Sequence, residues 1–386
     1  MRGLDPAVEA VYRYRRPDPA CWDAVVEAVC SQEPSYDADS ALVQAGRAVA
    51  GHADRIAASL RQRQGVYGTA VGHGVEVLAL ALAGTGDPRA IPALQGLGEH
   101  GGFPTQRPWA RILAALPAAG LLPTMRAVLQ KSRYRPEATL EVLAVWGPDA
   151  APAVPEVTGF LDTDLAHDAL RVLGRIGPAA AGTANRLIDF VAGRAPRAGR
   201  HHTRLAAWAH WRVTGDPALA LDVCGSAVKS GSGSHGLPYL ADLGPLAAAH
   251  ADTVRGLMES PGAWTRVAAA RAYWRITGDP EPAVPVLLAE VDADWTGLQA
   301  LPTQEAVRHL GEIGAPAAAA APLLHRILAS EERLSHPYET TRIIIDTSYT
   351  RTLTEALKRI APGAADTGAE LVPIGGQVRL RGLRGW

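Results

Sequence analysis

A short phrase that recurs along the chain restricts the possible folds more than any other feature. It reads LALAGTGDPRAIPAL around Gly86, LAVWGPDAAPAVPEV around Gly147, LGRIGPAAAGTANRL around Gly177 and AHWRVTGDPALALDV around Gly215. It returns as LADLGPLAAAHADTV around Gly244, AYWRITGDPEPAVPVLL around Gly278 and HLGEIGAPAAAAAPLL around Gly314. Successive anchors lie 61, 30, 38, 29, 34 and 36 residues apart, and the first interval divides in two if Pro117 marks a degenerate copy. LKRIAPGAADTGAEL around Pro362 reads as a last copy. Self-similarity at such a period is the mark of a repeat array.

Each phrase spells a helix end, a tight turn and a helix start. Gly86, Gly215 and Gly278 suit the left-handed residue that closes a helix, because they lack the Cβ that makes that conformation costly. Asp87, Asp216 and Asp279 can then cap the next helix, and Pro88, Pro217 and Pro280 fit its first position. The TGDP turn is therefore a joint between helices and not a phosphate loop, for no lysine or preceding strand accompanies it. Between joints, Thr203–Val213 and Trp264–Ile276 place apolar residues three and four apart. Abundant alanine lets helices approach closely, and Trp208, Trp211 and Trp274 are expected to fill the wider gaps. One helix pair of this length cannot bury its own apolar face, so stability has to come from stacking on neighbours.

With 386 residues, 47% of them hydrophobic, the chain can form a full core. Its formal charge of −1 gives no excess attraction for phosphate backbones or acidic membranes, which disfavours a nucleic-acid role. Only three of its 38 basic residues are lysine, a bias consistent with GC-rich codon usage. Cys21, Cys30 and Cys224 make neither a disulfide framework nor a CxxC pair, which suits a reducing compartment. The N-terminal stretch has no apolar core of signal-peptide length, and no later stretch is apolar for the length of a membrane span. A soluble, cytoplasmic protein with no membrane association is expected.

The Ala-rich helices ending in L-x-x-[IV]-G or W-R-[IV]-T-G-D-P and followed by A-V-P-x-L-L resemble bacterial HEAT repeats of the phycobilisome-lyase-like group. The resemblance covers residues 74–361, and Arg266 looks like the arginine that this family places near the start of a repeat's second helix. It implies an all-α fold, an α-α superhelix (a HEAT/armadillo-like solenoid) of eight to nine helix pairs spanning 73–361. Residues 1–72 are expected to form an N-terminal helical cap, and 362–386 an irregular C-terminal tail.

In a HEAT-type stack the helix before each joint lines the concave side. The resemblance therefore directs attention to Arg171, Arg175, Arg204, Tyr239, Asp242, Arg266, Arg271, Glu305, His309, Asp346 and Tyr349. Loops within helix pairs lie along one edge of such a stack, and several are long, at 98–108, 193–204, 229–236, 291–304 and 330–339. The second gathers Arg194, Arg197, Arg200, His201, His202 and Arg204, a set able to hold an anionic group, with the Gly/Ser loop beside it as a possible lid. Glu305, His309 and Glu312 share one helical face. Carboxylates beside an imidazole can raise its basicity, which suits proton transfer or half of a metal site.

Several enzyme classes are excluded by their missing motifs. HEAT-type di-iron hydroxylases use His-Glu dipeptides, and none of the twelve histidines is followed by Glu. HExxH, GxSxG and GxxxxGK[ST] are absent. The reading that remains is a HEAT-repeat binding or scaffold module that holds a protein partner on its concave face and loop-rich edge, with no cofactor and no metal. Its binding residues are expected among Arg171, Arg175, Arg197, Arg200, His202, Arg204, Tyr239, Arg271 and Tyr349. The alternative is an enzyme or enzyme component that takes a small anionic substrate in the cleft, with His309, Glu305 or Asp346 in acid-base roles. A HEAT-like DNA glycosylase is the least favoured reading.

Overall fold

The computed structural model describes residues 5–31, 35–63, 70–100, 109–113, 115–131, 136–230, 235–297, 301–335 and 339–362, without the side chains of 70–73, 109, 111, 200, 339 and 340. Among these residues the regular structure is helical, apart from an isolated antiparallel bridge between Tyr14 and Glu332. The first elements are α1 (Pro6–Arg13), α2 (Pro19–Cys30), α3 (Tyr36–Ala45), α4 (Ala53–Arg63), α5 (Ala70–Gly84), α6 (Ile91–His100) and α7 (Trp109–Leu113). They are followed by α8 (Ala118–Lys131), α9 (Glu137–Trp146), α10 (Val154–Gly159), α11 (Ala166–Ile176), α12 (Ala184–Val191), α13 (Arg200–Thr214) and α14 (Ala218–Lys229). The last are α15 (Leu237–Leu243), α16 (Ala251–Leu257), α17 (Ala263–Thr277), α18 (Ala283–Ala289), α19 (Thr303–Ile313), α20 (Ala321–Leu328) and α21 (Glu339–Ile360). No helix among the described residues is long and apolar enough to cross a membrane.

The joints form where the glycines stand. Gly215 and Gly278 close α13 and α17 at φ 81° and 76°, donating to the carbonyls of Trp211 and Trp274. Threonine completes each turn: the Thr214 hydroxyl donates to the His210 carbonyl at 2.7 Å and accepts from the Asp216 N–H at 3.1 Å. Asp216 Oδ1 then accepts from the Ala218 N–H at 3.0 Å, and Thr277, Asp279 and Glu281 repeat the pattern. Joints without the Thr-Asp pair take another form. Gly314, at φ 78° and ψ −136°, turns the chain into a 3₁₀ segment over Ala315–Ala320, a backbone state open in practice only to glycine.

The odd-numbered helices from α3 to α21 each pack against the next of the series, with the even-numbered helices from α6 to α20 alongside. Small residues set the closest approaches. A Cβ on Gly311 of α19 would lie 2.7 Å from Ala356 Cα of α21, and one on Gly174 would lie 2.2 Å from Trp208 Cζ3. Trp208 is buried in that notch, as expected for a gap-filling residue. Trp211 and Trp274 differ: they are half-buried under the guanidiniums of Arg212 and Arg275, because their register turns them toward the helix edge.

The series also closes on itself. α21 packs against both α3 and α1, and its Ile343 is buried within the apolar cluster of the chain's first half. The Arg15 N–H donates to the Glu331 carbonyl, the Arg333 N–H donates to the Arg13 carbonyl, and the Ile344 N–H donates to Gln44 Oε1. Residues 1–72 thus contribute α3, which packs on α5 and on α21 alike. From residue 363 the C-terminal tail lies outside the described residues.

Candidate functional site

A ladder of polar side chains crosses successive odd-numbered helices, and helical register explains it. Trp208 and Arg271 each stand five residues before the last apolar residue of their helix, while Arg175, Asp242 and Glu312 stand one before. In neighbouring helices these two registers meet. Trp208 lies beneath the Arg175 guanidinium, 5.7 Å from it, and donates its indole N–H to Asp242 at 3.2 Å. Arg271 spans the next two steps, reaching Asp242 at 3.3 Å and Glu312 at 3.4 Å. Glu312 in turn faces His309 Nδ1 at 3.2 Å, and Arg308 pairs with Glu305.

The electrostatics of this ladder depart from the expectation of a basic imidazole. Burial pushes the His309 pKa down and outweighs the nearby Glu312 carboxylate. Glu305 stays 3.7 Å from Nε2, too far for a hydrogen bond, and is drawn instead to Arg308. For Glu312 burial opposes ionisation, but the hydrogen bond and, in acid, the charge of His309, followed by the charges of Arg271 and Arg308, prevail and hold it at about 2. The pair is therefore a neutral imidazole beside a firmly ionised carboxylate. Among the described residues no three His, Cys, Asp or Glu side chains are placed to hold a metal ion.

Next to the ladder, α13, α14 and α15 bring Arg204, Cys224 and Tyr239 close together, where the arginine charge favours the ionised forms of the other two. Burial prevails nonetheless, and both the Tyr239 phenol and the Cys224 thiol are pushed up to about 12. Half-buried Arg204 makes no hydrogen bond or ion pair with a described residue. The basic loop before it is largely neutralised: Arg194 pairs with Asp189 and Arg197 with Asp164, each at 2.7 Å. His202 is buried, its Nδ1 2.8 Å from the Arg197 carbonyl, and burial lowers its pKa. Its ring lies 3.8 Å from His201 and 6.0 Å from His167, a residue no spacing singled out because it comes from a different helix.

Other expected site residues serve the framework. Asp346, expected in an acid-base role, is fully buried and accepts from Arg15 Nε at 3.0 Å, Arg333 Nη1 at 3.1 Å and the Leu334 N–H at 3.2 Å. It fastens the two ends of the chain, because α21 turns that face toward α1 and not toward solvent. Tyr349, expected as a binding residue, is also buried, packing edge-on against Trp295, and its hydroxyl has no partner among the described residues. Arg266 ties the start of α17 to Glu290 and to the carbonyls of Ser260 and Pro261. Arg171 pairs with Asp168 within its own helix. The Arg200 side chain lies outside the described residues, as do 101–108, 231–234, 298–300 and 336–338 of the long loops.

No protein-family model and no curated protein matches the chain. A crystal structure of an engineered protein is 17% identical over 87% of this chain and 98% of its own, at a TM-score of 0.35, and bears on neither fold nor function.

Proposed function

We propose that the chain is a HEAT-type α-solenoid acting as a binding scaffold, and that the ladder face of α11–α19 receives a protein partner. The observation that carries the reading is the ladder's continuity: Arg175, Trp208, Asp242, Arg271 and Glu312 link consecutive repeats at a fixed register. A stack of rigid helices offers such a strip without rearrangement, and interleaved charges of both signs favour a partner of complementary pattern over a uniformly charged polymer. Arg171, Arg175, Arg204, Tyr239 and Arg271 are the residues of this chain assigned to that face.

The test is a photocrosslinking residue placed in turn at Arg204, at Arg308 and, as control, at exposed Asp222 on α14. One discrete protein captured from the first two positions and not from the third is expected. Equal capture at Asp222, or none anywhere, overturns the reading.

A second reading has one observation in its favour. The Arg204 guanidinium, unpaired among the described residues and near the Tyr239 phenol, suits a small anionic substrate, the pairing of cation and hydroxyl that acid-base enzymes use to orient carboxylates or phosphates. Native mass spectrometry of the purified protein distinguishes it: a retained small anion, lost on Arg204→Ala, would replace the scaffold reading.

A further inference from the structure

A cavity of about 580 Å³ opens at the seam where the chain's two ends meet, away from the ladder. Its walls come from three places: Arg15 after α1, 293–296 after α18, and Arg326, Ile327, Ser330 and 332–335 at the end of α20 and beyond. The volume lies within the range of small-molecule sites.

The charges in this wall do not balance. Arg15 and Arg333, both buried, share the single carboxylate of Asp346. Glu332 on the rim is occupied by Arg13, and Asp294 is exposed. Arg326 makes no hydrogen bond or ion pair with a described residue. Counting the lining groups with their partners, four guanidiniums (Arg13, Arg15, Arg326, Arg333) stand against three carboxylates (Asp294, Glu332, Asp346). Arg342, bonded to the Leu334 carbonyl, adds further positive charge behind Arg333.

Donors also remain. Arg333 uses Nε on the Val11 carbonyl and Nη1 on Asp346, and its Nη2 bonds to no described residue. With the whole fork of Arg326 and the exposed Ser335 hydroxyl, the cavity offers planar, directional donors to a compact anion. Arginine forks match tetrahedral oxyanions through paired N–H bonds.

We propose that the seam cavity is a binding site for a small phosphate-bearing ligand, held by Arg326 and Arg333 with Trp295 as an aromatic wall. The surplus positive charge left by two arginines on one aspartate, with Arg326 beside it, attracts a phosphate anion. Because Arg15 lines the same cavity and is tied to Arg333 through Asp346, the site is complete only while the seam is closed. Binding to the closed form alone then stabilises the closure by mass action.

The experiment is calorimetric titration of the intact protein with inorganic phosphate and, separately, with adenosine monophosphate. At least one probe should saturate at a single site, and Arg326→Gln should weaken that binding at least tenfold while leaving the thermal midpoint of the unliganded protein unchanged. Hydrogen exchange at residues 13–15 and 327–335 should slow on saturation. Two outcomes support the site and identify its ligand: tighter binding of the nucleotide, lost on Trp295→Leu, marks an aromatic phosphate ester, and equal affinities mark free phosphate. Failure of both probes to saturate, or affinities unmoved by Arg326→Gln, overturns the proposal. Arg308→Gln on the ladder serves as control, and a loss of phosphate binding there equal to that of Arg326→Gln would also overturn it.

Discussion

At the residue scale, Trp208 does two jobs. Its ring fills the notch over Gly174, and its N–H holds Asp242 in line for Arg271. Trp208→Ala should cost about 3–5 kcal/mol in denaturant unfolding, the usual range for a large buried aromatic. Trp274→Ala should cost less, since that ring is half-exposed. The titratable residues of the ladder set a pH dependence. His309 is lowered from its ordinary 6.5, so below that pH the unfolded chain binds a proton the folded chain does not. Glu312 is lowered from 4.5 to about 2, so below 4.5 the same inequality holds for it. Both contributions are full at neutral pH and fade on acidification. The thermal midpoint should therefore fall in two stages, below about pH 6.5 and again below about 4.5. His309→Gln should reduce the first stage, to which buried His202 also contributes, and an unaltered profile would exclude His309 as a source.

At the scale of elements, the joints decide whether two helices can turn. Asp216→Ala removes the carboxylate that receives the Ala218 N–H and should cost about 1 kcal/mol, typical of a lost helix cap. Gly314→Ala should cost more, about 1–3 kcal/mol, because its backbone state is one that alanine reaches only under strain. Chemical denaturation of the two variants should rank them in that order. The TGDP joints were legible as turns, since Gly215 and Gly278 are left-handed and Asp216 and Asp279 each accept the N–H two residues on, but α14 begins only after Pro217 and α18 only after Pro282. The Gly-Pro joints were legible as turns but not in their geometry, because ψ there is imposed by the packing of the 3₁₀ segment that follows.

At the scale of the molecule, the closing contact matters most. An open repeat array unfolds from its ends, each unit held only by its neighbours. Here the ends hold each other through Asp346, Arg15 and Arg333. Asp346→Ala leaves two buried guanidiniums without their carboxylate and should cost about 3–5 kcal/mol. The readout that isolates the seam is hydrogen exchange. Protection should be lost in α1 and at the start of α21 before α9 or α11 is affected. Uniform loss along the chain would mean that the seam is not a separate cooperative unit.

The sequence by itself determined the helical class, the joint positions and the face that Glu305, His309 and Glu312 share. Each of these follows from local rules: periodicity, capping and the backbone freedom of glycine. Only the tertiary structure decided that Asp346 and Tyr349 are buried, that His167 meets His202, and that Arg15, Trp295 and Arg333 surround one cavity. The reason is sequence distance. Contacts within a repeat or between adjacent repeats recur with the period and can be read from it, whereas the meeting of residue 15 with residue 346 depends on the accumulated rotation of every intervening helix pair, which no local signal encodes.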